Sequence, residues 1–148
     1  MLEKIKTLIR ENDICVLATG GAEGTHTSLM AYVCSEDATD IYLVTSSKSL
    51  KYRNIIQDGR VSLLVDTREK DARGTIRALT IGGQARVVLD EREKNSMLQA
   101  FARRHGHLKG LLEQGDIALV RIQVRSLQLL NGPQEAHHIL LPERSGPV

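Results

Sequence analysis

A long apolar segment from residue 76 to residue 89, interrupted by Gly82 and Gly83, is the feature that most constrains the fold of this chain. Its aliphatic and β-branched residues predict a strand, but the segment is long for a single straight strand. Paired glycines inside a strand are typical of a bulge, a bend or the close approach of a second backbone. Small antiparallel barrels turn their corners in this way, so the segment favours a curled sheet over a flat one.

Other segments of the chain predict further strands and several short helices. Strands are predicted over residues 14–19, 25–34, 41–45, 61–66 and 116–130, with a charged loop over 67–74. Apolar residues at helical spacing predict helices over residues 2–11, after Ser49, from Asp90 to about Arg104, and over 108–114. Asp90 is the expected N-cap of the third of these helices, with Glu93 at its third position. The pattern therefore predicts an α+β, mainly β fold, in which a small antiparallel barrel carries helices over its edges or ends.

The length and the turn signals predict one domain. A chain of 148 residues is of ordinary single-domain size, and no low-complexity linker divides it. Asn131, Gly132 and Pro133 end the last predicted strand, so the domain is expected to span residues 1–131. The tail over residues 132–148 is expected either to be partly disordered or to lie on a partner subunit.

Composition excludes several classes of function. The formal charge of +2 is too small to drive nucleic-acid binding by counterion release, and the 3% aromatic content supplies few stacking platforms. No window is apolar enough for a membrane span, and the charged start of the chain is unlike a signal peptide. We therefore expect a cytoplasmic protein with no nucleic-acid partner and no membrane association, in which Cys15 and Cys34 are reduced, buried thiols.

The segment from Ile41 to Ile55 carries the clearest signal for a binding site. An apolar strand ends in the hydroxyl-rich turn Thr45-Ser46-Ser47-Lys48-Ser49, and a short basic helix follows. Hydroxyls, the open N–H groups of a first helical turn and an ammonium group together suit a phosphate monoester. Ser49 and Lys51 are the strongest candidates. The alternative is that the serines only cap the helix, and that Lys48, Lys51 and Arg53 form a solvated basic patch.

Several short motifs follow one another along the chain in a characteristic order. They are Leu17-Ala18-Thr19, a turn closing on Gly24, His26-Thr27-Ser28-Leu29-Met30, a strand ending at Thr45, Lys51-x-x-Asn54, the strand 60–65 and Gly83-x-Ala85. In this order the chain resembles the pyridoxamine 5'-phosphate oxidase-like family of FMN-binding split β-barrels over nearly its whole length. The resemblance implies a six-stranded antiparallel split β-barrel with short covering helices. It also implies a homodimer with an FMN cofactor at the subunit interface.

The resemblance also implies which residues bind the cofactor. Thr45 and Ser46 would supply backbone or hydroxyl contacts, while Ser49 and Lys51 would hold the phosphate. Ser28, Leu29 and Met30 would lie along the ribityl chain and the ring. The full implied cofactor-binding set is Ser28, Leu29, Met30, Val44, Thr45, Ser46, Ser49, Lys51 and Asn54.

The chain departs from the family members that oxidise pyridoxamine phosphate. Those proteins usually carry an arginine where this chain has Ser28, and an Arg-Gln pair where it has Arg77-Ala78. We therefore predict an FMN-binding oxidoreductase that acts on a small organic substrate, which need not be pyridoxamine phosphate. A haem-binding or haem-handling protein, a non-catalytic flavin-binding or sensor module, and binding of the deazaflavin F420 remain alternatives.

Three other features have competing interpretations. The glycines from Gly20 to Gly24 predict a hairpin turn, because no GK[ST] follows them. His105, His107, His137 and His138 are expected to be surface residues, and no metal site is predicted. On the haem alternative, His137 or His138 would be an axial ligand. His26 either touches the cofactor or faces a cross-strand neighbour.

Overall fold

The computed structural model describes residues 1–67, 77–132 and 135–144. The strands within these ranges are β1 (Ile14–Gly21), β2 (Gly24–Ala31), β3 (Val33–Cys34), β4 (Asp40–Ser46), β5 (Arg60–Asp66), β6 (Arg77–Val87), β7 (Ile117–Asn131) and β8 (Glu135–Leu140). The helices are α1 (Leu2–Glu11), α2 (Leu50–Gln57), α3 (Glu91–Arg104) and α4 (Lys109–Leu112), and a 3-10 turn covers Gly106–Leu108.

All the strands belong to one antiparallel sheet that curls on itself. Its order is β2-β1-β5-β6-β7-β4-β3, and β8 pairs with β7. Strand β4 runs along residues 117–123 of β7, and β8 runs along residues 126–131 of the same edge. Strands β2 and β3 stand at opposite ends of this order, yet only Tyr32 separates them in the chain. The two ends of the sheet must therefore meet, which makes a split barrel.

Tyr32 fixes the point where the barrel closes. Its side chain is 1% exposed, and its hydroxyl donates to the carbonyl oxygen of Ile9 in α1 over 2.7 Å. Its backbone N–H donates to the Asp13 carbonyl oxygen over 2.8 Å. Its own carbonyl oxygen accepts from Nε2 of the buried His105 over 3.0 Å. One residue thus ties α1, the start of β1 and the end of α3 to the junction of β2 and β3.

The bulge, bend or close approach predicted at Gly82 and Gly83 takes the form of a register shift against β7 and a close approach of its backbone. Gly82 pairs with Ser126 and Gly83 with Val124, so β7 has one extra residue, Arg125, at this point. A Cβ atom on Gly83 would lie 2.6 Å from Cγ2 of Ile122 and 2.7 Å from the carbonyl oxygen of Gln123. The close approach of β7 requires a glycine here, and a bulge of this kind increases the local twist by which a sheet curls.

Apolar side chains fill the barrel and cover one outer face. In β5 the alternate residues Val61, Leu63 and Val65 are buried, as expected for a strand with one face inward. Helix α1 adds Ile5 and Ile9 to the same core. A second cluster lies under α3 and α4, and its buried members are Tyr42, Val44, Val88, Phe101, Ile117 and Leu119.

The mainly β split barrel with short helices is confirmed, but the described residues hold eight strands rather than six. The strand predicted over 25–34 is broken at Tyr32, because the three hydrogen bonds of that residue turn it out of the ladder. Part of the predicted tail forms β8, since Ile139 packs on the core. Residues 68–74 of the predicted charged loop lie outside the described residues, as do residues 133–134 and 145–148 of the tail.

The structure also tests the predictions for one helix cap, one short helix and the two cysteines. Asp90 caps α3 by accepting from the Glu93 N–H over 3.0 Å, as the sequence predicted. The helix predicted over 108–114 is shorter, since α4 spans Lys109–Leu112. Both cysteines are free, and burial raises the pKa of Cys15 to about 12. Cys34, expected to be buried, is only half-buried.

We predict that Tyr32→Phe lowers the free energy of unfolding by about 1–2 kcal/mol, because the buried bond to the Ile9 carbonyl is lost. Urea unfolding followed by circular dichroism measures the change. The control is Tyr52→Phe, which removes a hydroxyl from the half-buried tyrosine of α2. Equal stability of the Tyr32→Phe variant and the unmutated protein would contradict a closing role for this bond.

Candidate functional site: a cleft at the start of helix α2

A cleft of about 420 Å³ opens where β2, the end of β4, the start of α2 and the segment after α3 meet. Its lining residues are Ile14, Leu29, Met30, Ala31, Val44, Thr45, Ser46, Ser49, Lys51, His107, Leu108 and Leu111. One end of this set carries hydroxyls and an ammonium group, and the rest is largely apolar. The cleft can therefore hold a molecule with an anionic end and an apolar body.

The polar end is built by the turn between β4 and α2. Ser49 is the N-cap of α2, and its Oγ accepts from the N–H of Tyr52 over 3.2 Å. The same oxygen lies 2.9 Å from Oγ1 of Thr45. The N–H groups at the start of the helix have no acceptor within the helix itself. With Lys51 in the first turn, hydroxyls, amides and a positive charge converge on one place.

The hydroxyl of Ser46 is bound within the protein. It donates to Oδ2 of Asp116 over 2.8 Å and accepts from the N–H of Lys48 over 3.1 Å. The N–H of Ser47 donates to the Asp116 carbonyl oxygen over 2.8 Å. Asp116 thus holds the turn in place, and the side-chain oxygen of Ser46 is less available to a ligand than those of Thr45 and Ser49.

The structure brings together every residue of the implied cofactor-binding set except Ser28 and Asn54. Ser28 lies on β2 with its Oγ 3.2 Å from Nε2 of His26, and neither residue lines the cleft. His26 is paired in the ladder with Thr19. Contact of Ser28 with a cofactor remains a prediction from the resemblance.

Asn54 contacts the barrel. Its side chain is buried, and Nδ2 donates to Oγ1 of the buried Thr19 over 3.0 Å. A Cβ atom added to Gly21 would lie 2.1 Å from Oδ1 of Asn54. These contacts attach α2 to β1, so the structure supports an indirect role for Asn54, in which it orients the helix that carries Lys51.

Sequence reasoning missed the cleft residues Ile14, Ala31, His107, Leu108 and Leu111. The last three come from the segment after α3, which is far in the sequence from the phosphate motif, and no local pattern links the two. His105 was expected at the surface but is buried against Tyr32 and Phe101. Within the described ranges, no group of His, Cys, Asp and Glu residues is arranged to hold a metal ion.

A separate cluster of charges lies at the opposite end of β4. Asp40 is 5% exposed and pairs with Arg121, whose Nε lies 3.2 Å from Oδ1, and with Arg144. Arg121 also approaches Glu93, which accepts from the Tyr42 hydroxyl over 3.0 Å. Burial and this hydrogen bond raise the pKa of Tyr42 to about 12. The cluster anchors β4 and the C-terminal segment, and its members do not line the cleft.

The fold is that of a split-barrel protein, and its cleft lies at the start of helix α2. The sequence model of pyridoxamine 5'-phosphate oxidase matches residues 1–131. The chain belongs to this family. No curated protein matches the chain by sequence.

Solved structures share the fold at low identity. The heme binding protein from Mycobacterium smegmatis is 17% identical with a TM-score of 0.80, over 94% of this chain and 57% of that one. General stress protein 26 from Bacillus anthracis is 22% identical with a TM-score of 0.72, over 95% and 98%. A FAD-binding protein from Mesorhizobium loti is 14% identical with a TM-score of 0.71, over 86% and 91%. These likenesses establish the architecture only.

In the described residues, no helix combines the length and the apolar character needed to cross a membrane.

We predict that Asn54→Ala lowers the free energy of unfolding by about 1–3 kcal/mol, because a buried hydrogen bond between α2 and β1 is lost. Thermal and urea unfolding of the ligand-free protein measure this change. Gln57→Ala, at the exposed end of the same helix, is the matched control. Unchanged stability of the ligand-free Asn54→Ala variant would refute a structural role for this residue.

Proposed function

We propose that this chain binds FMN non-covalently and acts as an oxidoreductase on a small organic substrate. The observation that carries the proposal is the cleft in which the Thr45 and Ser49 hydroxyls, the start of α2 and Lys51 meet apolar walls. FMN likewise has a polar and an apolar part, with a phosphate at one end of the molecule and a flat aromatic ring at the other. Membership of the family supports the assignment.

The phosphate end fits the charge of FMN. A phosphate monoester carries about −1.5 to −2 charges at neutral pH and accepts several hydrogen bonds. Lys51 supplies a positive charge, Thr45 and Ser49 supply hydroxyls, and the helix start supplies N–H donors with a favourable dipole. In this arrangement Lys51 neutralises the phosphate while the hydroxyls orient it.

The apolar part of the cleft suits the flavin ring of FMN. Leu29 and Met30 at the end of β2 and Val44 in β4 supply apolar lining to the cleft. Apolar walls exclude water and bury the ring, while flavin supplies the electron-transfer chemistry when bound. The residues of this chain would hold and orient it, and no side chain need act as a nucleophile.

We also propose a homodimer with the cofactor at the subunit interface. Leu29 is 76% exposed, and Ile14 and Leu64 lie nearby on the same outer face of β1, β2 and β5 at 44% and 42%. These three residues border a second cavity of about 280 Å³, which shares Ile14 and Leu29 with the cofactor cleft. Exposed apolar surface of this kind marks an interface, and a second copy would cover it and complete the cleft.

The direct test is the visible spectrum of the purified protein, followed by titration of the ligand-free form with FMN. A flavin spectrum with a cofactor of the mass of FMN is expected. F420 would be recognised by its different mass. A folded protein with no measurable affinity for FMN would contradict the proposal. Full FMN occupancy without turnover of any donor and acceptor would point to the non-catalytic module.

We predict that Lys51→Ala weakens FMN binding about ten- to a hundredfold, because a charge-assisted hydrogen bond to phosphate is worth about 1.5–3 kcal/mol. Riboflavin lacks the phosphate, so its affinity should change little. Fluorescence titration with both ligands measures the difference, and Lys48→Ala is the matched control on the same turn. Equal losses for both ligands would show that Lys51 acts through the fold.

We predict that Leu64→Asp shifts the protein from dimer to monomer, because a charge on the proposed apolar interface is costly to bury. Light scattering coupled to size-exclusion chromatography measures the mass. Leu140→Asp is the control, since Leu140 is 74% exposed on β8 and lies away from this face. A monomeric unmutated protein, or an unaffected Leu64→Asp dimer, would count against the interface.

Haem binding is the second candidate function, and the shared fold with the Mycobacterium smegmatis heme binding protein favours it. The proposed axial ligands His137 and His138 lie on β8, where His137 is 2.9 Å from Glu135. Neither lines the cleft, whereas His107 does. A haem absorption band abolished by His137→Ala or His138→Ala would support this candidate over flavin. A band lost only with His107→Ala would place haem in the cleft.

A further inference from the structure

The cleft has a second apolar wall that a phosphate site does not require. It consists of Leu108, which ends the 3-10 turn, and Leu111 in α4. Residues three apart on a helix share a face, so both side chains can project in one direction. Leu112 packs against the cluster around Phe101 instead. Helix α4 is thus anchored through Leu112 and presents Leu108 and Leu111 to the cleft.

This wall is distinct from the proposed dimer face. Ile14 and Leu29 line both the cleft and the cavity that extends to Leu64. Leu108 and Leu111 line the cleft but not the second cavity. They belong to the segment that follows α3. A second copy that covers the outer face of β1, β2 and β5 therefore accounts for Ile14 and Leu29 but leaves the wall on α4 without an assigned role.

The polar groups of the cleft either serve the phosphate in the proposed FMN complex or have partners within the protein. The Thr45 and Ser49 hydroxyls bond to each other, and the Ser46 hydroxyl bonds to Asp116. Lys51 pairs with the phosphate in the proposed FMN complex. Among the described lining residues, the remaining side chain able to carry a positive charge is His107, which is exposed to solvent.

A substrate that meets Leu108 and Leu111 is therefore selected by its charge. A phosphate or carboxylate moved against leucine loses hydration, and no permanently charged group of the described lining is free to replace it. An uncharged ring buries apolar surface there without that cost. We propose that Leu108 and Leu111 form a substrate wall that accepts an uncharged aromatic compound and disfavours phosphorylated ones. This inference rests on the proposed function, because it takes Lys51 to be occupied by FMN.

The test uses two probes that share one aromatic ring system and differ by a phosphate group, 2-naphthol and 2-naphthyl phosphate, and it is run without an electron acceptor. Each is titrated into the FMN-loaded protein by calorimetry, after FMN occupancy has been measured by absorbance. We expect 2-naphthol to bind at least about tenfold more tightly than its phosphate ester. Equal or tighter binding of the ester, or no binding of 2-naphthol, would overturn the inference. This comparison needs only the unmutated protein.

A variant locates the binding surface. Leu111→Ser should weaken 2-naphthol binding about three- to tenfold at matched FMN occupancy, since part of the apolar contact is lost. Leu140→Ser changes an exposed leucine outside the cleft and should leave the affinity unchanged. Unchanged affinity in Leu111→Ser would place the ring elsewhere. A protein that takes up no FMN fails the proposed function first, whereas an FMN-loaded protein that does not discriminate overturns the substrate wall alone.

Discussion

The buried hydrogen bonds of Tyr32 are the constraint on which the rest of the structure depends. They form at the one place where the first and last strands of the sheet order are consecutive in the chain. Because the hydroxyl, the N–H and the carbonyl oxygen of this residue all find partners inside the protein, no buried polar group opposes closure there. Closure in turn brings β2 beside the end of β4, and the cleft exists only because those two segments meet.

The polar end and the apolar wall of the cleft are held in place by different kinds of interaction. The turn between β4 and α2 is held by bonds between near neighbours, such as Thr45 with Ser49, together with one long-range anchor, Asp116. A separate apolar wall includes Leu111 of α4, a single helical turn. The polar end is thus held by its own turn and Asp116, whereas the apolar wall is anchored separately, through Leu112 and the cluster around Phe101.

Sequence and structure agree where the determining interactions are local. The cap at Asp90 and the helix start at Ser49 each depend on residue types within a few positions, so the sequence predicted them. At Gly82 and Gly83 the glycine pair itself indicated an irregularity, but the form of that irregularity depends on Ile122 and Gln123 of β7. The break at Tyr32 depends on Ile9 and His105, which are remote in the sequence, and the apolar pattern gave no sign of it. The same reason explains why His107 and Leu108 were missed. For Asn54 the motif was informative, but its buried contacts with Thr19 and Gly21 indicate support of the helix.

The pair formed by Asp40 and Arg144 has a consequence for where the chain can be labelled. Strand β4 places Asp40 at one end and Thr45 near the other, and a strand of this length spans about 20 Å. Arg144, the last described residue, is therefore held at the end of β4 that is remote from Thr45 and the cleft. A fluorescent label attached at this residue would therefore start at the end of β4 that lies away from the cleft.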